Sequence, residues 1–307
     1  LLIRENISFV TTAFTGATEI MKLAGAEFIY TDLKELAESS DIDAVYIASP
    51  NSYHCEQAVE MLKHGKHVLC EKPAASNAAE LQRMRAAAEN GQAVLLEAMR
   101  SVYDPGFQAI EANLYRLGKI RSVSFRFCQY SSRYDNFRKG IIENAFRPEL
   151  SNGALMDIGV YCVHPLVRLF GMPEKIEGAS VFLENGVDGM GTILAQYPGW
   201  QAVLQYSKIT SGYTESEVQG ENGSMQIDRI ADTRKITIHE RTGRRDVILI
   251  PKEENNMVYE IREWLRLIEN SQEDEKSKIY EEASGNEMQF LDLAREKMGI
   301  RFPADVS

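Results

Sequence analysis

Lys66-His67-Val68-Leu69-Cys70-Glu71-Lys72-Pro73 is the stretch on which the fold turns. Its apolar run, His67 to Cys70, reads as a buried strand that stops abruptly at a Glu-Lys pair closed by proline. Proline fixes its own φ and pushes the residue before it out of helical space, so Lys72 is expected extended at the strand's carboxyl end. Open α/β sheets take their ligands at that end. A lysine beside a carboxylate there can hydrogen-bond a sugar hydroxyl and help move its proton. The same residues also fit a surface strand end with a casual ion pair.

Outward from this stretch, short apolar runs alternate with helix-period segments. Ile7 to Phe14 reads as a strand, Thr18 to Ala24 as a short helix and Glu27 to Tyr30 as another strand. Leu33 to Ser39 is helical, and Ala44-Val45-Tyr46-Ile47-Ala48 is a β-rich run bounded by Pro50. An amphipathic helix, Cys55 to His64, leads into the His67 strand. Ser76 or Asn77 caps a further helix that stops at Asn90-Gly91, and Ala93 to Glu97 is one more apolar strand. Strands spaced by helices of this length imply βαβ units and a parallel sheet with both faces covered.

Beyond Asp104 the pattern changes. A helix from Pro105 to Leu117 precedes an alternating strand, Arg121 to Tyr130, and a polar loop over Tyr130 to Asp135. Gly153 to Phe170 carries a helical apolar stripe, closed by Gly171-Met172-Pro173. Lys175 to Ile250 divides into about six strands with hairpin signals at Asn185-Gly186, Pro198-Gly199, Glu221-Asn222-Gly223 and Thr242-Gly243. Helices Val258 to Ser271 and Glu282 to Met298 finish the chain, with Gln272 to Lys278 as a charged loop. The last helix is expected to pack back on the first domain. The fold class is α/β: an N-terminal parallel-sheet domain over residues 1–103, then an α+β domain over 104–307 with a large, mostly antiparallel sheet.

The 307 residues are 44% apolar and 26% charged, the balance of a folded globular protein rather than a disordered one. A net charge of −11 argues against nucleic acid or an anionic membrane as partner, since both need clustered Lys and Arg. No apolar run approaches the roughly 20 residues of a membrane span. Cys55, Cys70, Cys128 and Cys162 lack CxxC or metal spacing and read as reduced thiols. With no signal peptide opening the chain, a cytoplasmic protein is expected.

Three constellations can carry chemistry. The turn Ala48-Ser49-Pro50-Asn51-Ser52-Tyr53-His54 joins a strand to a helix, where free backbone N–H groups can meet a dinucleotide or simply cap the helix. Glu71-Lys72-Pro73 is the second. In the third, Asp157 and Tyr161 lie four apart on one helix face, with His164 close to the same face as a weaker candidate. A tyrosine, whose ordinary pKa is about 10, can exchange a proton with a hydroxyl when a lysine cation makes the phenolate accessible. Lys72 and Tyr161 on facing domains would form such a pair, with Asp157 orienting a hydroxyl or holding Lys72 charged. Alternatively, Asp157 favours the helix start and Tyr161 is core. No His/Cys/Asp cluster has metal spacing, and no G-x-G-x-x-G occurs.

In this order the motifs resemble the Gfo/Idh/MocA family of nicotinamide-dependent oxidoreductases. The match runs through Ser49-Pro50-Asn51 with His54, Gly65 to Pro73, Glu97-Ala98-Met99-Arg100, Tyr130 to Tyr134, Gly153 to Tyr161, Val218-Gln219-Gly220, Gly223 to Asp228 and Gly299 to Pro303. The resemblance implies a Rossmann-like first domain that binds NAD or NADP, with Ser49, Pro50, Asn51, His54, Glu71, Lys72 and Arg100 as cofactor-side residues. It implies catalysis by Lys72, Tyr161 and Asp157, no metal, and a homodimer or higher oligomer through the C-terminal sheet. Many members carry a histidine four residues after the helix aspartate; this chain has Tyr161 there, as does the branch resembling glucose-fructose oxidoreductase and the dihydrodiol dehydrogenases. That choice favours Tyr161 as acid/base and counts against a sugar-acid or inositol substrate.

The family's opening strand and glycine-rich turn are missing from the sequence, so the chain reads as lacking the start of its first domain, and a true truncation there should fold poorly. The expected function is hydride transfer between a nicotinamide and a hydroxyl-bearing carbon of a sugar, polyol or diol. The alternatives are a non-catalytic dinucleotide or sugar sensor and, more narrowly, redox-assisted glycoside cleavage.

Overall fold

A computed structural model describes residues 30–270 and 275–306. The expected strand Ile7 to Phe14 and helix Thr18 to Ala24 lie outside the described residues, as does all of the expected strand Glu27 to Tyr30 except Tyr30. Among the described residues the first sheet has three strands in the order β1 (Ala44–Ile47), β2 (His67–Glu71), β3 (Leu95–Ala98). All pairs are parallel, with Ile47 opposite Cys70 and Val68 opposite Leu95. In the middle strand Val68, Leu69 and Cys70 are all buried, which is why its sequence is continuously apolar rather than alternating.

Helices His54–Lys63 and Ala78–Gly91 pack on each other and carry the chain between these strands. Asn77 caps the second: its side chain accepts from Glu80 N, while Glu80 reaches back to Ser76 N. Gly91 ends that helix for a different reason from the one expected. Its φ is unremarkable and the left-handed position falls to Gln92, but a Cβ on Gly91 would lie 1.9 Å from Leu62 O. The glycine is a contact point between helices.

The second sheet has eight strands in the order β11-β10-β9-β8-β4-β7-β6-β5. They are β4 (Ile120–Cys128), β5 (Lys175–Phe182), β6 (Asp188–Tyr197), β7 (Trp200–Ser207), β8 (Ser216–Gly220), β9 (Gly223–Ile227), β10 (Lys235–Glu240) and β11 (Arg245–Leu249). Every pair is antiparallel except β4 with β7. Helices Val160–Phe170 and Glu275–Met298 cover one face. Along β6, Ile193, Ala195 and Tyr197 point into that core while Leu194 stays 42% exposed on the opposite face.

Two parts of the second half differ from the sequence expectation. Residues 275–278 are helical, because the last helix starts at Glu275 rather than near Glu282 and its first turns are a solvated polar face. The expected polar loop after β4 folds into a short helix, Ser132–Phe137, and two 3₁₀ turns around a small core of Tyr134, Phe137, Phe146 and Val187.

The last helix returns to the first sheet. Ser284 Oγ donates to Glu97 Oε2 (2.6 Å), Asp292 accepts Ala78 N, and Arg295 donates to Ser76 O. His164 contacts Glu287 (Nδ1 to Oε2, 2.5 Å), so it is locked between layers instead of serving the site. Ligand atoms of Glu97, His164 and Glu287 lie within 4.8 Å of one another. The direct His164–Glu287 contact fills the space between that pair. Burial raises both carboxyls towards about 8 and lowers His164 to about 4. A raised carboxyl gives stability that is full below the ordinary glutamate value and lost as pH rises through the folded value. The lowered His164 works the other way up to its ordinary value of about 6.5, so thermal stability should fall chiefly between about pH 6.5 and 8, and Glu287→Gln should flatten that fall by a few degrees in a melting series. An unchanged pH slope would show that the cluster does not govern it.

Candidate active site

Lys72 leaves β2 directly after Glu71, and its peptide bond to Pro73 is cis. Its side chain is 13% exposed and crosses to the second half of the molecule, where Nζ lies 2.9 Å from Asp157 Oδ1. It also donates to the Asp157 backbone oxygen at 2.6 Å. Asp157 sits in a π-helical turn, Leu155–Gly159, that runs into helix Val160–Phe170. Such turns are rare and frequent at functional sites. The entry to this turn is tight: Gly153 has φ +158°, and a Cβ there would lie 1.9 Å from Asp188 Oδ1. Asp188 in turn accepts the otherwise free Leu155 N–H at 2.7 Å.

The second carboxylate oxygen of Asp157 is also taken. Lys208, in the segment after β7, places Nζ 2.8 Å from Asp157 Oδ2. Burial alone would raise Asp157, but the two ammonium groups hold it far below the ordinary carboxylate range. Burial alone would lower Lys72; the facing carboxylate outweighs this and keeps it above the ordinary lysine value. Lys72 is thus a fixed cation at working pH.

Tyr161, one turn beyond Asp157, is 7% exposed. Lys72 Nζ lies 5.1 Å from its ring centroid and Arg100 Cζ 5.6 Å. Arg100 Nε donates to the phenol oxygen at 3.3 Å and its Nη1 to Asn256 Oδ1 at 2.9 Å. Phe127 meets the ring edge-on at 5.5 Å. A cleft of about 480 Å³ opens there, lined by Glu71, Arg100, Tyr161, Glu254, Asn256 and Met257 among others. Glu71 accepts the Tyr46 hydroxyl and the Lys72 backbone N–H.

The turn after β1 lies at the same end of the sheet. Ser49 Oγ donates to Gln57, and Asn51 Nδ2 donates to Ser151 O at 2.9 Å, a bond between the two halves of the chain. Pro50 precedes the 3₁₀ turn Asn51–Tyr53. His54 is fully buried, with Nδ1 3.0 Å from Pro73 O and Nε2 2.8 Å from Ser49 O. Both ring nitrogens face carbonyl oxygens of the two turns, and the neutral ring that burial favours donates to one of them. The fold thus brings Lys72, Asp157, Tyr161, Arg100 and Glu71 together. Asn256 and Lys208 were not anticipated. Each is a polar residue at the end of an element, and nothing local marks it.

Residues 5–98 match the model of the oxidoreductase family with an NAD-binding Rossmann fold, and residues 112–226 match the GFO/IDH/MocA C-terminal domain. The chain belongs to this family. It is 46% identical over 290 residues to scyllo-inositol 2-dehydrogenase (NADP(+)) IolU of Bacillus subtilis, covering 94% of this chain and 88% of that one. It is 30% identical to trans-1,2-dihydrobenzene-1,2-diol dehydrogenase of Mus musculus over 90% of this chain and 83% of the relative. Among solved structures, the 3-ketoreductase KijD10 of Actinomadura kijaniata, in complex with NADP and TDP-benzene, superposes with a TM-score of 0.84 at 21% identity, covering 97% of this chain and 90% of that one. That likeness concerns the fold. As a Gfo/Idh/MocA member the chain is an NAD(P)-dependent oxidoreductase acting on CH–OH groups. The Bacillus subtilis relative acts on an inositol, a substrate class that Tyr161 was expected to count against.

Proposed function

We propose that the protein oxidises a secondary hydroxyl of a cyclic polyol, with NADP as acceptor, and reduces the corresponding ketone in reverse. The observation that carries this reading is the meeting of Lys72, Asp157 and Tyr161 at the carboxyl ends of parallel strands, beside a polar cleft. The 46% identical NADP-dependent inositol dehydrogenase supports both the cofactor and the ring polyol. The described residues fit a nicotinamide: the Ser49–Pro50–Asn51 turn, Glu71, Lys72 and Arg100 stand at one end of the sheet, where dinucleotides lie in this architecture. The bound cofactor supplies the hydride acceptor or donor.

The chain's own residues handle the proton and the oxygen. Tyr161 Oη takes the proton of the substrate hydroxyl as the carbonyl forms and returns it in reduction. Lys72 and Arg100 meet the negative charge that develops on the phenol and substrate oxygens. Asp157 holds the Lys72 ammonium in place. The Asn51 and His54 side chains keep the turn in shape, leaving backbone groups to face the cofactor.

The finer features follow the same reading. The division into two domains falls near Asp104. The open face of the large sheet, where Val181 and Leu194 are 50% and 42% exposed, is the surface for a homo-oligomer. The four free cysteines suit the cytoplasm. No described helix is long and apolar enough to cross a membrane.

The test is reduction of NADP⁺ or NAD⁺ by the purified chain, followed at the nicotinamide absorbance band, against inositols, aldoses and a trans-diol. Turnover of an inositol with NADP⁺ above the others is expected. Turnover confined to an open-chain or aldose substrate would overturn the cyclic-polyol assignment.

A further inference from the structure

Lys208 is 2% exposed, and its ammonium has three neighbours. Nζ lies 2.8 Å from Asp157 Oδ2, 2.5 Å from Ala145 O and 4.6 Å from the centroid of the Phe146 ring. A lysine is almost never buried this deeply unless a partner compensates its charge. Here the partner is the carboxylate that Lys72 already uses through Oδ1. One negative charge is divided between two positive ones.

We propose that Lys208 is a positioning residue for the reaction: by taking half of Asp157, it leaves the Lys72 charge uncancelled beside Tyr161, and it ties the segment holding Ala145 and Phe146 to the site. The inference rests on the acid–base role of Tyr161 proposed above.

The charge count gives the direction. Lys72, Asp157 and Lys208 together carry one net positive charge. Without Lys208 the remaining pair is neutral, and Tyr161 loses part of the field that favours its phenolate. Other groups also face this field. Glu71 stands at the end of β2 beside Lys72, Arg100 bonds the phenol oxygen, and Glu254 lines the cleft. Asp232 and Glu260 act on Arg100 from the far side, and Asp188 is the second carboxylate that faces Lys208. Burial and its Leu155 bond leave Asp188 near 6, so it adds negative charge above that pH. These groups set where the pH profile lies. Removing a cation moves the profile to higher pH whichever of them are ionised.

Ala145 belongs to the 3₁₀ turn Asn144–Phe146, and Phe146 anchors the small aromatic core under residues 131–151. One ammonium therefore bonds both the carboxylate that holds Lys72 and the backbone of that segment.

Lys208→Gln removes the charge while keeping a polar, hydrogen-bonding side chain of similar bulk. The measurements are kcat and KM for the polyol across pH, cofactor affinity by fluorescence titration, and the melting temperature. The expected result is a kcat loss of about 10- to 100-fold, KM and cofactor affinity within about threefold, and a limb of the kcat profile moved up by about one pH unit. Lys208→Arg, which keeps the charge, should restore the position of that limb. Lys208→Met carries the same expectation as Gln if the Gln variant does not fold, and Asp188→Asn should move the limb the opposite way. A folded Lys208→Gln protein with the native limb overturns the proposal, as does a loss of kcat matched by equal loss of cofactor affinity. If Tyr161→Phe keeps native turnover, the acid–base reading itself fails, which is a different result from a silent Lys208→Gln.

Discussion

Lys72→Met is expected to lower kcat by about 10²- to 10⁴-fold while cofactor affinity changes by less than about threefold. The ammonium lies 2.9 Å from Asp157 Oδ1 and 5.1 Å from the Tyr161 ring, so its loss removes one of the two positive charges beside the phenol, the other being Arg100. Methionine fills the space of the stem but carries no charge. The fold should survive, because Asp157 keeps Lys208 on its other oxygen. The expected stability cost is about 1–3 kcal/mol, that of one lost charged hydrogen-bond partner. Linkage sharpens the assignment. Lys72 is raised by its carboxylate, so the stability it contributes is full below the ordinary lysine value and is lost only as pH rises through the folded one. Asp157 is depressed, so its contribution is full above the ordinary aspartate value and is lost only as pH falls well below it. The pair stays ionised across neutral pH, and a pH-dependent limb of kcat there has another origin. Native turnover in a folded Lys72→Met protein would sink the role given to this lysine.

Tyr161→Phe is the second large effect, with kcat expected to fall by about 10²- to 10⁴-fold, the usual worth of a positioned acid–base group. The substitution removes one oxygen and leaves the ring, so the edge contact with Phe127 and both cation–ring contacts remain. Arg100 Nε loses an acceptor at 3.3 Å but keeps Asn256 through Nη1. Stopped-flow measurement with a carbon-deuterated substrate, in H2O and in D2O, separates hydride from proton effects. A fall in cofactor affinity as large as the fall in kcat would mark Tyr161 as structural instead.

Much of the site was legible because its parts sit where local rules are strong. The parallel strand His67–Glu71 announces itself as an unbroken apolar run, and proline at position 73 marks its end. Asp157 and Tyr161 were readable as neighbours because helical periodicity places residues four apart on one side, and the π-helical turn between them preserves that meeting. His164 obeys the same periodicity and still misses the site, since the returning last helix offers it Glu287. Spacing chooses a face of a helix and says nothing of what packs against it. His54 teaches the same lesson: its place in the motif is local, while both of its partners are backbone carbonyls set by the path of two separate turns.

The sequence by itself determined the order of most of the described strands and helices, the change from parallel to antiparallel sheet, and the choice of Lys72, Asp157 and Tyr161 as one candidate set. These depend on short-range periodicity and on motif order, which a linear chain carries in full. Only the tertiary structure decided that Asp157 is shared by two lysines, that Arg100 reaches the phenol, and that Glu97, His164 and Glu287 form a buried clamp. Those contacts join residues 51 to 190 positions apart, and burial strengthens each of them by removing the water that would otherwise screen it.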